Sequence, residues 1–221
     1  MLRGMRAFVF DFDGTLAVLN IDFGLMRHRV HEIVGHYGLD PHCFEQLYIL
    51  EMIDAVAAQL DERGAEFSRD AHASILSLER ESALASGMLP GAIDALCILR
   101  QHGFKIAIVT RNSGSAVRTI CSTIETLCDA FLPREAVRFV KPHPEHLGRA
   151  LESLQVVPET AVMVGDGPID IHAGKALGLK TIAVLTGGNR REALLASQPD
   201  LILNSVADLI PMALDWSLPA R

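Results

Sequence analysis

The chain has 221 residues, 49% of them hydrophobic and 21% charged, enough for one large domain or two small ones with a buried core and no disulfide staples. Lys and Arg total 20 against 27 Asp and Glu, a formal net charge of -7, which argues against a general polyanion-binding surface and leaves room for a local basic pocket. Aromatic residues are only 5%, too few for single-strand stacking platforms, and the apolar runs fall far short of the roughly 20 residues a membrane helix needs.

In chain order, the basic start around Arg3 and Arg6 leads into an apolar run that Asp11 and Asp13 interrupt before a signal-peptide core forms, so no export signal is expected. Short apolar or β-branched runs follow at residues 7–10, 105–109, 161–164, 181–185 and 201–203, with a weaker sixth at 130–132. Helix-length segments at 92–101, 113–127, 145–154 and up to 177 separate them. This alternation predicts an α/β fold, a doubly wound Rossmann-like parallel sheet with helices on both faces.

Residues 19–87 break the rhythm, because their apolar spacing is helical throughout. Phe23, Met26, Val30, Ile33, Val34 and Tyr37 form one stripe of a helix over 23–37, with Asp22 as N-cap and Gly38 just past its end. A second helix is expected from Asp40-Pro41 to about Leu60 and a third over 68–85. The expected organisation is a sheet domain of residues 1–18 and 88–221 interrupted by a helical domain of residues 19–87. The four cysteines, Cys43, Cys97, Cys121 and Cys128, form no C-x-x-C pair and read as reduced core residues, which favours a cytoplasmic location.

Open α/β sheets bind ligands where strands end at their carboxyl edge. Four such loops are rich in polar groups: Asp11-Phe12-Asp13-Gly14-Thr15-Leu16, Thr110-Arg111-Asn112-Ser113, Val140-Lys141-Pro142 and Gly165-Asp166-Gly167-Pro168-Ile169-Asp170. Carboxylates brought into one crevice repel one another, and a hard divalent cation together with Lys141 resolves the conflict. Oxygen donors without a His or Cys set at zinc spacing suit Mg2+ better than Zn2+. His143 and His146 read as polar residues at a helix start. An EF-hand-type calcium loop from Asp11 to Asp22 is a poor fit, because Gly14 stands fourth rather than sixth and a strand precedes it.

These four motifs, in this order, resemble the haloacid dehalogenase superfamily of hydrolases, and within it the phosphatase branch with an inserted helical cap, phosphoglycolate-phosphatase-like members above all. The resemblance spans essentially the whole chain. It implies that Asp11 is the nucleophile that forms an aspartyl-phosphate, and that Asp13 is the acid and base that serves the leaving oxygen and then water. It implies a Mg2+ site from the Asp11 carboxylate, the Asp13 carbonyl and Asp166, with Asp170 supporting it from behind. Thr110 and Lys141, with backbone N–H groups at Arg111 and Asn112, would bind phosphate oxygens, and Lys141 would offset the charge gathered in the transition state. The Arg111 side chain is left open between substrate contact and a solvated role.

Dehalogenase members lack an acid at the Asp13 position, so its presence here favours phosphate esters. A phosphomutase shares the same core, but such relatives tend to carry His and Lys in the cap, and no Lys lies between Asp13 and Gly103. A phospho-Asp receiver switch also groups Asp, Thr and Lys, yet needs neither the insertion nor Asp166 and Asp170. The cap is expected to select the substrate, with Arg27, His28, Arg29 and His31 of its first helix either facing the crevice or forming a solvated face. The partners expected are a small phosphorylated metabolite and at most a second copy of the chain, with no nucleic acid and no membrane.

Overall fold

The computed structural model describes residues 4–215, which divide into two compact units: the chain up to Leu19 together with the chain from Ser86 onward, and Asn20–Ala85. In the first unit, β1 (Ala7–Phe10), β2 (Lys105–Val109), β3 (Ala130–Leu132), β4 (Ala161–Gly165), β5 (Lys180–Val184) and β6 (Leu201–Leu203) form one parallel sheet in the order β3-β2-β1-β4-β5-β6. Successive crossovers run outward from β1 through β2 to β3, and the chain then returns to β4 on the other side of β1. The direction of winding therefore reverses between β1 and β4, which opens a crevice at their carboxyl ends.

The period-2 alternation of β1 assigns its two faces. Phe8 and Phe10 pack with Leu96 and Leu99 of α4 (Ala92–Gln101), Val117 of α5 (Gly114–Ile120) and Leu209 of α9 (Leu209–Asp215). Ala7 and Val9 face Leu147, Ala150, Leu151 and Leu154 of α6 (Pro144–Leu154) and Ala173 of α7 (Pro168–Ala176). All four β1 residues are buried, as a central strand covered on both sides requires. A rigid floor thus lies beneath the residues that follow Phe10.

The second unit holds α1 (Phe23–His36), α2 (Ile49–Gln59) and α3 (Gly64–Leu84) around Met26, Val30, Val34, Met52, Ile53, Val56, Phe67, Ala71 and Ile75. Asp22 caps α1 by accepting the Leu25 N–H at 2.8 Å. Its limits are narrower than residues 19–87 because the Val18 N–H bonds the Gly87 carbonyl and the Leu89 N–H bonds the Leu16 carbonyl, tying both connecting segments to the sheet unit.

Three helices differ from expectation. The segment from Asp40 to Leu60 is a short 3-10 turn, Pro41–Phe44, followed by α2, because the Arg27 guanidinium takes the Glu45 and Leu47 carbonyls, the latter at 2.7 Å. Carbonyls turned toward Arg27 are lost to a continuous helical ladder. α3 starts at Gly64 rather than 68, which adds the buried Phe67 to its core face. α5 stops at Ile120, where Cys121 is extended; the hydroxyl-bearing Ser122 and the β-branched Thr123 that follow favour an irregular turn over a continued helix. α8 (Arg191–Ala196) and α9 are short additions that the spacing does not announce. All four cysteines are free, with Cys121 and Cys128 buried; Cys43 corrects the expected pattern, lying exposed in the 3-10 turn. No described helix is long and apolar enough to cross a membrane.

Candidate active site

Where β1 ends, the alternation continues for three residues: Phe12 turns into the core while Asp11 and Asp13 point the other way, and Gly14, at φ +79°, bends the chain. Asp11 is buried, its Oδ2 accepting from the Thr15 hydroxyl at 3.3 Å. Asp13 is half-buried and is held from β2's carboxyl end, where the Thr110 hydroxyl and the Asn112 amide donate to its two oxygens at 3.1 and 3.0 Å.

Lys141 is only 1% exposed, and its Nζ lies 2.6 Å from Asp11 Oδ1 and 2.7 Å from Asp170 Oδ1. A lysine sealed among apolar walls is tolerated when carboxylates surround it. Burial alone would lower its pKa, but Asp11 and Asp170 outweigh that and raise it, so the ammonium stays charged. Asp170 also caps the start of α7, its Oδ2 accepting the Gly167 N–H at 3.2 Å.

Asp166 follows β4 and is buried beside this group. Its carboxyl is pushed up to about 7, first by burial and then by the Asp170 carboxylate. Asp11 is raised well above the usual carboxylate range, by burial foremost and by Asp170, Asp166 and Asp13 against the pull of Lys141. Burial also raises Asp13, with the Asn112 and Thr110 hydrogen bonds pulling it back. One oxygen each from Asp11, Asp166 and Asp170 lies within 4.8 Å of the others, a hard all-oxygen donor set that fits a divalent magnesium-like ion. Both oxygens of Asp170 are engaged, by Lys141 and the Gly167 N–H, and both of Asp11 are too, by Lys141 and Thr15. The Asp13 side chain stands apart from this set, on Thr110 and Asn112.

Thr110 and Asn112 reach the crevice, but in this structure both side chains serve Asp13, and the Asn112 N–H bonds the Thr110 hydroxyl at 2.9 Å. The helix after them begins only at Gly114, capped by the Ser113 hydroxyl, so Arg111 and Asn112 precede its amino terminus rather than open it. The Arg111 side chain is half-buried, and its guanidinium donates to the backbone carbonyl of Lys141. His143 caps α6 by accepting the Glu145 N–H at 3.2 Å, as a polar residue at a helix start does. His146 is fully buried, against the expectation of an ordinary polar position.

A fifth loop, after β5, joins the four motif loops. The Thr186 hydroxyl donates to the Gly14 carbonyl at 2.7 Å and the Asn189 amide donates to the Asp166 carbonyl at 3.2 Å. A Cβ on Gly187 would overlap the Asp166 carboxylate, and one on Gly14 would lie 2.7 Å from Asp166 Oδ2, so two glycines form the cradle that lets Asp166 approach. The one signal in the sequence is the position of Thr186-Gly187-Gly188-Asn189 just past a strand's carboxyl end.

Comparison with known proteins bears on the family and the fold. The pyrophosphatase PpaX of Bacillus cereus (strain G9842) is 30% identical over 218 residues, covering 92% of this chain and 94% of that protein. CbbY from Rhodobacter sphaeroides, solved in complex with phosphate, superposes with a TM-score of 0.64 at 24% identity over 96% of this chain and 99% of its own. β-Phosphoglucomutase (pgmB) from Clostridium difficile gives a TM-score of 0.66 at 18% identity over 96% and 97%. These two likenesses concern the fold. A family pattern described as haloacid dehalogenase-like hydrolase matches residues 5–178, from just before β1 to just past α7, and the chain belongs to that family of hydrolases.

Proposed function

We propose that this protein is a Mg2+-dependent phosphatase that hydrolyses a small-molecule phosphomonoester through an aspartyl-phosphate on Asp11. The observation that carries the reading is the buried Lys141 ammonium bridging Asp11 and Asp170, with Asp166 alongside and Asp13 held two residues on by neutral donors. Asp11 and Asp13 differ in how they are held, and the difference suits two roles. Asp11 faces a permanent positive charge, which favours its ionised, nucleophilic form when the crowding by other carboxylates is relieved. Among the described residues no cation touches Asp13, and burial raises its pKa, the direction that suits an acid serving the leaving oxygen and then a base toward water.

Lys141 would offset the charge that builds on the phosphoryl oxygens, and Thr110 would turn from Asp13 toward one of those oxygens once substrate is seated. The carboxylates of Asp11 and Asp166, with the Asp13 carbonyl, would hold Mg2+, and Asp170 would keep Lys141 and the α7 start in register. When bound, the ion neutralises phosphate charge and allows the carboxylates to lie close together. The similarity to a pyrophosphatase puts pyrophosphate beside phosphoglycolate and the sugar phosphates as candidate substrates.

The test is phosphate release from p-nitrophenyl phosphate, pyrophosphate, phosphoglycolate, hexose phosphates and nucleoside monophosphates, with and without Mg2+. The expected result is turnover of at least one phosphomonoester, abolished reversibly by EDTA; release from pyrophosphate alone would replace the monoester by a phosphoanhydride as the substrate. Release from none of them, or isomerisation of a hexose phosphate without release, overturns the reading.

A further inference from the structure

His146 is a buried histidine that none of the motifs employs. Its Nδ1 accepts the backbone N–H of Lys141 at 3.2 Å, and its Nε2 lies 3.0 Å from the Leu132 carbonyl at the end of β3. Because Nδ1 accepts, the ring proton sits on Nε2 and is donated to Leu132, which defines one neutral tautomer. The same Leu132 carbonyl accepts the Thr110 N–H at 3.1 Å. One imidazole therefore joins the backbone of the Lys141 loop to the carbonyl that also anchors Thr110.

The remaining backbone polar group of Lys141 is held as well, since its carbonyl accepts from Arg111. Side chains from two different elements thus fix both ends of the lysine's peptide frame. Nζ is reached through four flexible methylene groups, and a fixed backbone is what limits where that ammonium can go. Burial, and then the Lys141 ammonium, drive His146 down to about 3, which keeps the imidazole an uncharged acceptor at every working pH.

We propose that His146 is a positioning residue: its imidazole holds the Lys141 backbone against β3 so that the lysine's Nζ stays between Asp11 and Asp170. This rests on the reading of Lys141 as the phosphate's counter-charge. An ordinary buried histidine that only fills space would leave the chemistry untouched once folding is secured, and that is the contrast to measure.

The experiment compares His146→Leu, His146→Asn and His146→Gln, with Leu151→Ala as a control that loosens the core around α6 without touching Lys141. Asn can place an oxygen where Nδ1 was and keep the Lys141 N–H satisfied; Gln reaches the Nε2 position and leaves that N–H without its acceptor. With p-nitrophenyl phosphate, His146→Leu and His146→Gln are expected to lower kcat about 30-fold with a much smaller change in KM. His146→Asn is expected to recover about tenfold of that loss, and Leu151→Ala to keep kcat within about threefold of the wild type. If His146→Leu does not fold, the contrast of Asn with Gln carries the same information. Wild-type kcat in His146→Gln, or an Asn variant no better than Gln, overturns the proposal.

Should the wild type release phosphate from no substrate, the proposed function fails, and binding of inorganic phosphate in the presence of Mg2+ decides this inference separately. His146→Gln is expected to weaken phosphate about tenfold and His146→Asn to leave it near the wild-type value. Equal affinity in the two variants, or no phosphate binding by the wild type, overturns it.

Discussion

In the helical unit Glu79 is the one charged or polar residue buried among those described, whereas the sheet unit buries Asp11, Thr110, Asn112, Lys141, His146, Asp166 and Asp170 close to strand ends. The helical unit is held by an apolar stripe on each of three helices. The sheet unit has cores on both faces, and that surplus of burial stabilises a group of carboxylates whose mutual repulsion works against folding. Removing a core residue from the helical unit should therefore cost stability, and removing a polar one from the strand ends of the sheet unit should cost chemistry, with Lys141 the residue where both losses coincide.

The largest expected effect on activity is at Asp11. Asp11→Asn should reduce phosphate release about a thousandfold or more, while the metal-free protein melts no lower than the wild type because one crowded carboxylate is gone. Steady-state rates and thermal melts on the same preparation read both halves; a variant that is destabilised but active would reverse the contrast. Lys141→Met should lose activity and also about 3–5 kcal/mol of stability, since it leaves buried carboxylates without their cation. Urea melts would show this, and a neutral result would mean that Lys141 is dispensable to the fold.

Phe67→Ala sharpens the other side of the comparison. Phe67 is fully buried and its ring meets that of Tyr37 edge-on at 5.3 Å, so its truncation should cost about 3–5 kcal/mol. Inorganic phosphate binding by the protein that remains folded should be unchanged, which a titration below the melting range can check. Gly187→Ala should weaken Mg2+ binding about tenfold by pushing Asp166 out of its cradle, measured by calorimetry. An unaltered affinity would remove the fifth loop from the site.

The crowding of carboxylates should also appear as a pH slope. Asp166 has a folded-state pKa of about 7 against an ordinary 3.8, so between those values the native state holds a proton that the unfolded state has lost. Its contribution to the stability of the metal-free protein is full below about 4 and is lost as pH rises through 7, and the raised Asp11 acts in the same direction. Melting temperatures of EDTA-treated protein should fall from about pH 5 to about pH 8, and Asp166→Asn should flatten the slope. Added Mg2+ should oppose the fall, since it binds the ionised carboxylates.

Three of the four motif loops are legible in the sequence because each carries ionisable or hydroxyl side chains just after a strand, and a parallel sheet must bring such ends to one edge; Lys141, well past the end of β3, is legible only through its place in the order of motifs. The segment of residues 186–189 is not, because its contribution at Gly187 is the absence of a Cβ, which has meaning only once Asp166 is seen against it. Arg111 stays undecided in the sequence for a related reason: its partner is a backbone carbonyl far along the chain, at Lys141, which side-chain chemistry does not announce. The break between Asp40 and Leu60 has the same origin, with Arg27 capturing carbonyls that local spacing assigns to a helix. His146 looks like a helix-start residue because its sequence neighbours Pro144 and Glu145 are such, and only the fold places it against the Lys141 backbone.

The most direct test is to find the covalent intermediate. Protein turning over p-nitrophenyl phosphate with Mg2+ is quenched in acid, reduced with borohydride and digested, which converts an acyl-phosphate on aspartate to homoserine that mass spectrometry can locate. Homoserine in place of Asp11, absent when substrate is withheld, is the predicted result; turnover with Asp11 unmodified, or the modification at Asp13 or Asp166, would contradict the account.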